Sequence, residues 1–508
     1  MRYGFVIDQR RCIGCHACTV ACKEENHVPV GAFRTWVKYV ERGTWPGTRR
    51  YFSVLRCNHC ENAPCVTICP TRALYHRDDG IVDFDRDRCI GCKSCMQACP
   101  YDALYIDPAS GTAAKCHYCA HRVETGLEPA CVIVCPEQAI IAGDLDDPDS
   151  RIARLVATEQ VQVRKAEQGT RPKVFYVGAD TAALTPSLQA PTRSYMWAER
   201  PAEEVSLMAM LADADRQDAH GDPALARPVY DAPHVRRPWG WKVGAYLWTK
   251  SIAAGALLLA ATGVLMGGPA QNWGSGLAAP VLALVFLALT TALLVADLKR
   301  PDRFLYLLTK PNLRSWLVLG AFILIAYGGV GTLWLAAIVT GRADALPLLA
   351  VPVIVLAAAA AGYSAFLFGQ AEGRDFWQSP LLLPHLLVGA VVAGASTSII
   401  IGAMVGADAA TRSGLAWILA GALVANALLL LGELGGSHAS LDAARAAHLI
   451  ARGHYRARFW AGVVLVGTAL PLALLWLGAA PLAALAALAG AWTWEDTWVQ
   501  AGQSVPLS

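Results

Sequence analysis

From Tyr246 onward the chain is a succession of apolar stretches of about twenty residues, the length an α-helix needs to cross the hydrocarbon core of a bilayer. Eight are expected, over 245–267, 277–297, 315–339, 346–368, 381–405, 414–434, 459–477 and 478–498. The last two are parted only by Gly478, Ala479, Ala480 and Pro481. So many uninterrupted apolar runs argue against a large soluble helical core. Residues 1–180 contain no such run and read as an ordinary charged soluble domain. Between the two, residues 181–238 carry Pro186, Pro191, Pro201, Pro223, Pro228, Pro233 and Pro238 and read as a linker. Within it, Glu203 to Gln217 has the spacing of a short helix, through Val205, Leu207, Met208 and Leu211. The division is thus 1–180, 181–238 and 239–508.

Cysteine usage is equally one-sided. All sixteen fall in the first 135 residues, in four groups of four. The groups are Cys12, Cys15, Cys18, Cys22; Cys57, Cys60, Cys65, Cys69; Cys89, Cys92, Cys95, Cys99; and Cys116, Cys119, Cys131, Cys135. Proline follows all but the first, where Lys23 stands. A 4Fe–4S cluster needs four thiolates at tetrahedral corners, and three closely spaced cysteines wrap only one side of it. In two-cluster ferredoxins the last cysteine of a run ligates the neighbouring cluster, so groups work in pairs and four groups imply four clusters. Zinc sites use C-x2-C pairs, but not runs of four closed by proline. Disulfides require export, and nothing at Met1 reads as a signal peptide.

A net charge of +3 is too small to suggest nucleic acid as a partner. Placement says more than the sum. With eight spans, one side of the membrane holds the first domain together with Arg236, Arg237, Lys242, Lys250, Lys299, Arg300, Arg303, Lys310, Arg314, Arg374, Arg445, Arg452, Arg456 and Arg458, and the other holds Arg342 and Arg412. This asymmetry places the cysteine-rich domain on the cytoplasmic side of a bacterial inner membrane. Polar groups within or ending the spans gather toward the same face: Tyr246, Lys250, Asp297, Tyr363, His385, Glu433, Ser437 and His438. Intramembrane polar groups are functional candidates. Here they suit a quinone, whose tail takes an apolar pocket while a few donors and acceptors bind its oxygens and exchange protons. A b-type haem wants two facing imidazoles, and only His385 sits clearly within a span, so no haem is expected.

Residues 1 to about 180 resemble the four-cluster ferredoxin subunit of molybdopterin oxidoreductases of the polysulfide, dimethyl sulfoxide and nitrate reductase type, with a long gap in the fourth group. Residues 240–508 resemble the NrfD/polysulfide-reductase membrane subunit, through Asp297-Leu-Lys-Arg-Pro-Asp-Arg-Phe, Lys310-Pro-Asn-Leu-Arg-Ser-Trp, Gly373-Arg-Asp-Phe-Trp-Gln-Ser-Pro380 and the tail Ala501-Gly-Gln-Ser-Val-Pro-Leu-Ser508. The resemblance implies an α+β ferredoxin-like iron–sulfur domain followed by an all-α, haem-free transmembrane bundle of eight helices that binds quinone near the clusters. It also implies that the first group pairs with the fourth and the second with the third. The ligand sets would be Cys12, Cys15, Cys18 and Cys135; Cys22, Cys116, Cys119 and Cys131; Cys57, Cys60, Cys65 and Cys99; and Cys69, Cys89, Cys92 and Cys95. Tyr246, Lys250 and Asp297 are the leading quinone candidates. No molybdopterin domain, dinucleotide motif or P-loop is evident, so a molybdenum or tungsten catalytic subunit is expected as partner, with membrane lipid and the quinone pool. The expected role is electron transfer and anchoring in a quinone-linked oxidoreductase. Redox-driven proton translocation is the alternative, though acidic groups beyond the cluster-side face are few, Asp344 and Asp408 in loops.

Overall fold

The computed structural model describes residues 1–43, 46–190, 226–232, 234–235, 237–267 and 276–508. The short helix expected over 203–217, and Arg236 of the basic flank, lie outside the described residues.

In the cysteine-rich half, small sheets and hairpins hold cysteine loops. Strand Tyr3–Asp8 pairs antiparallel with Ile140–Asp144 and parallel with Val174–Val177, which pairs in turn with Val161–Gln162. Because the first of these precedes the first cysteine group and the second follows the last, their pairing brings the outer groups together. Helix Ala17–Glu25 then packs on Ala130–Ile133, and Pro64–Ile68 packs on Ser94–Ala98. First meets fourth and second meets third. Hairpins Leu74–His76/Val82–Phe84 and Leu104–Ile106/Ala113–Lys115 separate successive groups. Within the C-x2-C gaps the backbone bends through left-handed residues, Gly14 (φ 71°), His16 (61°), His59 (44°), Gly91 (69°), Lys93 (64°) and Tyr118 (62°). Such bends curl a short loop around its own side chains.

The stretch 181–238 is in part integral to this domain, and not a linker throughout. Asp180 caps helix Thr181–Leu184, a 3-10 turn follows over Pro186–Leu188, and strand Arg227–Tyr230 adds to the hairpin Thr35–Arg42/Arg49–Arg56. Its prolines do not prevent this. Pro186 opens the turn and Pro228 lies on an edge strand, both places where a missing N–H is tolerated.

The second half is helical: Trp241–Leu265, Ala278–Asp297, Trp316–Val339, Leu346–Gly369, Leu382–Val405, Ala409–Gly435, Arg458–Trp476 and Ala480–Ser504, with a short Leu441–Ala451 before the seventh. The seventh opens as a π-helix, Arg458–Ala469. Among the described residues, seven helices are long and apolar enough to cross a membrane. Ala480–Ser504 falls outside that set, since its second half carries Glu495, Asp496, Gln500 and Gln503. Large apolar side chains such as Val285, Leu333, Val355 and Leu431 point outward, as they must against lipid.

Small residues set the tightest helix contact. A Cβ on Gly255 would lie 1.9 Å from the carbonyl oxygen of Ala390, and one on Gly394 would lie 2.3 Å from the backbone of Gly255. Close backbone approach through small residues is how helices associate where no hydrophobic force drives them together. Gly394→Val is therefore expected to pry the first helix from the fifth at a cost of about 1–3 kcal/mol or more. A lowered melting temperature of the detergent-solubilised protein would show it, and an unchanged one would contradict the contact.

Candidate functional site

The structure gathers the cysteines into sets drawn from two groups each. Cys12, Cys15, Cys18 and Cys135 line a cavity of about 340 Å³. Cys22, Cys116, Cys119 and Cys131 line one of about 270 Å³, and Cys69, Cys89, Cys92 and Cys95 one of about 380 Å³. In the remaining set, Cys60 and Cys65 each feel the charge of Cys57 and Cys99. Among the described residues, no three His, Cys, Asp or Glu side chains converge as they would on a single ion. Thiols ringing a void fit a polynuclear cluster better than zinc.

Burial pushes the thiols of Cys18, Cys92 and Cys116 up to about 12 and that of Cys99 up to about 11. Bare thiolates are costly in such surroundings, and bound iron would supply the positive charge that offsets them. The sets also stand in line. Cys18 feels the charge of Cys131, Cys116 that of Cys57, and Cys95 that of Cys65, so each set neighbours the next. The file ends at the helices.

All four sequence stretches that carry the membrane-subunit resemblance lie at this junction. Asp297 pairs with Lys93, between Cys92 and Ser94, at 2.7 Å. The N–H groups of Lys299 and Arg300 donate to the carbonyls of Gly91 and Ile90, and Arg303 donates to those of Arg86 and Cys89. Asn312 donates to the carbonyls of Thr67 and Cys69, and Ser315 to that of Ile68. Arg374 donates from Nε to Gln97 Oε1 (2.8 Å) and from Nη1 to the carbonyls of Gln503 and Val505. The Gln97 amide in turn donates to Gln503 Oε1 (2.6 Å), which also accepts from the Trp239 N–H. Burial lowers Arg374 to about 10 against the opposing pull of Asp102 and Asp442.

The polar candidates of the helical half separate into distinct places. Lys250 is fully buried, donates to Ser364 Oγ (2.7 Å) and the Ala361 carbonyl (2.8 Å), and lies 4.8 Å from the centre of the Tyr363 ring. Tyr246 is buried beside them, its hydroxyl without a hydrogen-bond partner. His385 stands against Trp494, 5.2 Å between ring centres, and with Ser251, Asn426, Thr468 and Glu495 lines a cavity of about 480 Å³. Glu433 accepts from Ser379 (2.6 Å), and His438 Nε2 lies 3.2 Å from the Glu433 carbonyl oxygen. Asp297 is engaged in docking.

Glu495 was not among the expected residues. It is buried within electrostatic reach of Lys250. An acid inside the apolar stretch 478–498 was the available signal. Lys93, Gln97 and Gln503 had none, because their partners lie hundreds of residues away.

A model of the family described as polysulphide reductase, NrfD, matches residues 231–493, just over half of the chain. The protein belongs to this NrfD family. Two 4Fe–4S dicluster domain models match the other half, at 11–73 and 48–145. The chain is similar to a tetrathionate reductase subunit of Salmonella typhimurium, 49% identical over 205 residues, covering 39% of this chain and 80% of that protein. It is also similar to one of the polysulfide reductase chains of Wolinella succinogenes, 42% identical over 181 residues (35% and 94%). The arsenate respiratory reductase iron–sulfur subunit of a Shewanella species is 34% identical over 225 residues (35% and 96%). This NrfD-family chain thus joins a ferredoxin-type iron–sulfur domain to a membrane domain.

Replacing Asp297 with Asn would leave Lys93 buried and uncompensated, a change worth about 3–5 kcal/mol in a buried pair. Faster amide hydrogen exchange over 86–97 is the expected outcome. Exchange identical to that of the unsubstituted protein would rule out a docking role.

Proposed function

We propose that this chain is the electron-transfer and membrane-anchor subunit of a respiratory oxidoreductase complex, linking the quinone pool to a molybdopterin catalytic subunit. One observation carries the reading: four cysteine sets stand in file, and the last of them docks on helix ends beside a buried polar pocket. When bound, 4Fe–4S clusters held by these sets would accept and pass on single electrons. The protein's part is to fix their order, keep water from the buried thiols and bring the last set to the bilayer. The names of the relatives, subunits of tetrathionate, polysulfide and arsenate reductases, support a partner that acts on a soluble terminal substrate.

In the pocket, Tyr246, Lys250 and Tyr363 are the groups we assign to the quinone oxygens. The Lys250 Nζ donates to neutral acceptors, Ser364 and the Ala361 carbonyl, and it can turn a proton toward a bound carbonyl oxygen. Gly320 leaves room for the Tyr363 ring, which a Cβ there would meet at 2.2 Å. Asp297 holds the cluster domain in place instead of binding quinone.

The helical domain crosses the membrane eight times in this reading. The last helix runs antiparallel to the first, with the Trp248 indole donating to the Leu488 carbonyl and Gln503 meeting Trp239. Its end returns to the cluster domain, where Arg164 donates to the Leu507 carbonyl. A chain that begins and ends on one face makes an even number of crossings. Some of the basic residues on that face serve docking, Arg300, Arg303, Arg374 and Arg445 among them. Lys299, Lys310, Arg314, Arg452 and Arg456 remain exposed there, against Arg342 and Arg412 opposite, which supports a cytoplasmic cluster domain. At the far end of the file Cys15 is exposed, as are Ile13, Val20 and Ile133 of the elements that carry that set and its neighbour, and this end is the face we assign to the catalytic partner.

A second reading, proton translocation coupled to quinone chemistry, gains from the cavity that Glu495 shares with His385, Asn426 and Thr468. The two separate in liposomes: Glu495→Gln abolishes quinol-driven acidification under the second and leaves no acidification to lose under the first. For the quinone pocket, Lys250→Met is expected to slow quinol-dependent reduction of the clusters at least about tenfold, about 1.4 kcal/mol in the barrier, with iron content unchanged. Unaltered stopped-flow kinetics would reject the assignment.

A further inference from the structure

The four cysteine sets are not equivalent in their electrostatics. Arg56 ends the strand that leads into the second cysteine group and is 1% exposed. Its Nη1 donates to Cys131 Sγ at 3.2 Å, and its guanidinium lies 4.4 Å from the centre of the Phe5 ring. The remaining nitrogens, Nε and Nη2, are buried without a hydrogen-bond partner, and no carboxylate pairs with the guanidinium among the described residues. A buried guanidinium stays charged, so this cation needs negative charge nearby. Among the described residues, the negative charge it faces is that of the cysteine sulfurs Cys131, Cys116 and Cys18.

Asn26 adds to the same set. Its Nδ2 donates to the Cys22 carbonyl (3.0 Å) and also reaches Cys22 Sγ (3.7 Å) and Cys119 Sγ (3.8 Å), while Arg34 Nη1 donates to its Oδ1 (3.2 Å) and holds the amide in that orientation. Elsewhere the donors to sulfur are neutral: the Ala139 N–H to Cys135, and the Gly91 and Ala113 N–H groups to Cys89. Lys115, near Cys65, spends its ammonium on the carbonyls of Val82 and Cys116. Lys93 beside the membrane-end set is neutralised by Asp297.

Hydrogen bonds and positive charge at the sulfurs favour the reduced, more negative form of an iron–sulfur cluster and raise its potential. We propose that the cluster held by Cys22, Cys116, Cys119 and Cys131 is the highest in potential of the four, with Arg56 as the positioning residue that sets it. The second site of the file is then where an electron rests between the membrane and the partner, whichever way the current runs. This rests on the reading that all four sets hold 4Fe–4S clusters.

The test is a redox titration of the purified membrane complex followed by electron paramagnetic resonance, with iron content and total spin measured alongside. In Arg56→Gln the signal of highest potential is expected to move down by at least about tenfold in its reduction equilibrium, about 59 mV for one electron. Arg56→Lys restores most of the shift, and Asn26→Leu, which removes the amide donor beside Cys22 and Cys119 without touching Arg56, moves the same signal downward. The proposal is overturned if Arg56→Gln and Asn26→Leu move different signals, or if the highest-potential signal moves in neither. Should Arg56→Gln fail to assemble, Asn26→Leu and Arg56→Lys decide alone: a highest signal indifferent to Asn26→Leu overturns the proposal. Low iron in the unsubstituted complex would instead defeat the four-cluster reading on which it rests.

Discussion

Everything about this molecule depends on a buried polar seam between a charged soluble domain and a bundle of apolar helices. Gln97, Gln503 and Arg374 are all nearly inaccessible to water, and each satisfies another's hydrogen-bonding groups. In a low-dielectric interior such a network is strong when complete and costly when any member is missing. Gln97 lies between Cys95 and Cys99, so the same side chain that knits the domains also fixes the backbone carrying two cysteine positions. Around the network, Trp239, Trp377, Phe368 and Trp498 form one apolar core together with Ile68 and Ala98 of the cysteine-rich domain. The two halves therefore share a core, and the loops that carry the last cysteine set are packed into it.

Burial does two opposed things here. It raises the cost of every thiolate, which makes the cysteine sets dependent on positively charged iron, and it raises the cost of every cation left without a counter-charge. Along the file the chain meets that second cost differently at each position. Lys93 is offset by Asp297 from across the seam, Lys115 is hydrogen-bonded by two carbonyls, and Arg56 faces sulfur and the Phe5 ring. The electrostatic profile along the file is thus written in how each buried charge is compensated rather than in how many charges there are.

Because a bilayer-length apolar run is a local property of the chain, the hydropathy pattern placed most of the long helices to within a few residues, missing the start of the sixth and the polar end of the eighth. The cysteine groups were equally plain, since ligand spacing is local too. What local pattern could not display was pairing at long range. Asp297 stood out as an acid ending an apolar helix and suggested quinone chemistry, yet its partner is Lys93, which nothing in the spacing of the third group distinguishes. The prolines of 181–238 read as a linker, but Pro186 and Pro228 occupy the turn and edge positions where proline costs little, so composition concealed a strand and a helix. Glu495 is visible as an acid within an apolar stretch. Close to the end of that run, it has the look of a helix terminus, and only the packing of the first helix against the eighth reveals it as buried.

Lys250 and Glu495 show why the helical half needs both of its ends. Lys250 is held by Ser364 and the Ala361 carbonyl on the fourth helix, while Glu495 on the eighth lies within electrostatic reach of it. Neither helix is adjacent to the other in sequence, and the first helix, which carries Lys250, packs on both. A buried lysine and acid so placed add little net stability, because desolvation cancels most of any attraction between them. It does make the position of the eighth helix felt at the lysine, and the eighth helix ends in the tail that Arg374 and Arg164 hold against the cysteine-rich domain. The polar pocket and the last cysteine set are in this way fixed to a common element, so the distance between them is set by one helix and not by the sum of several loops.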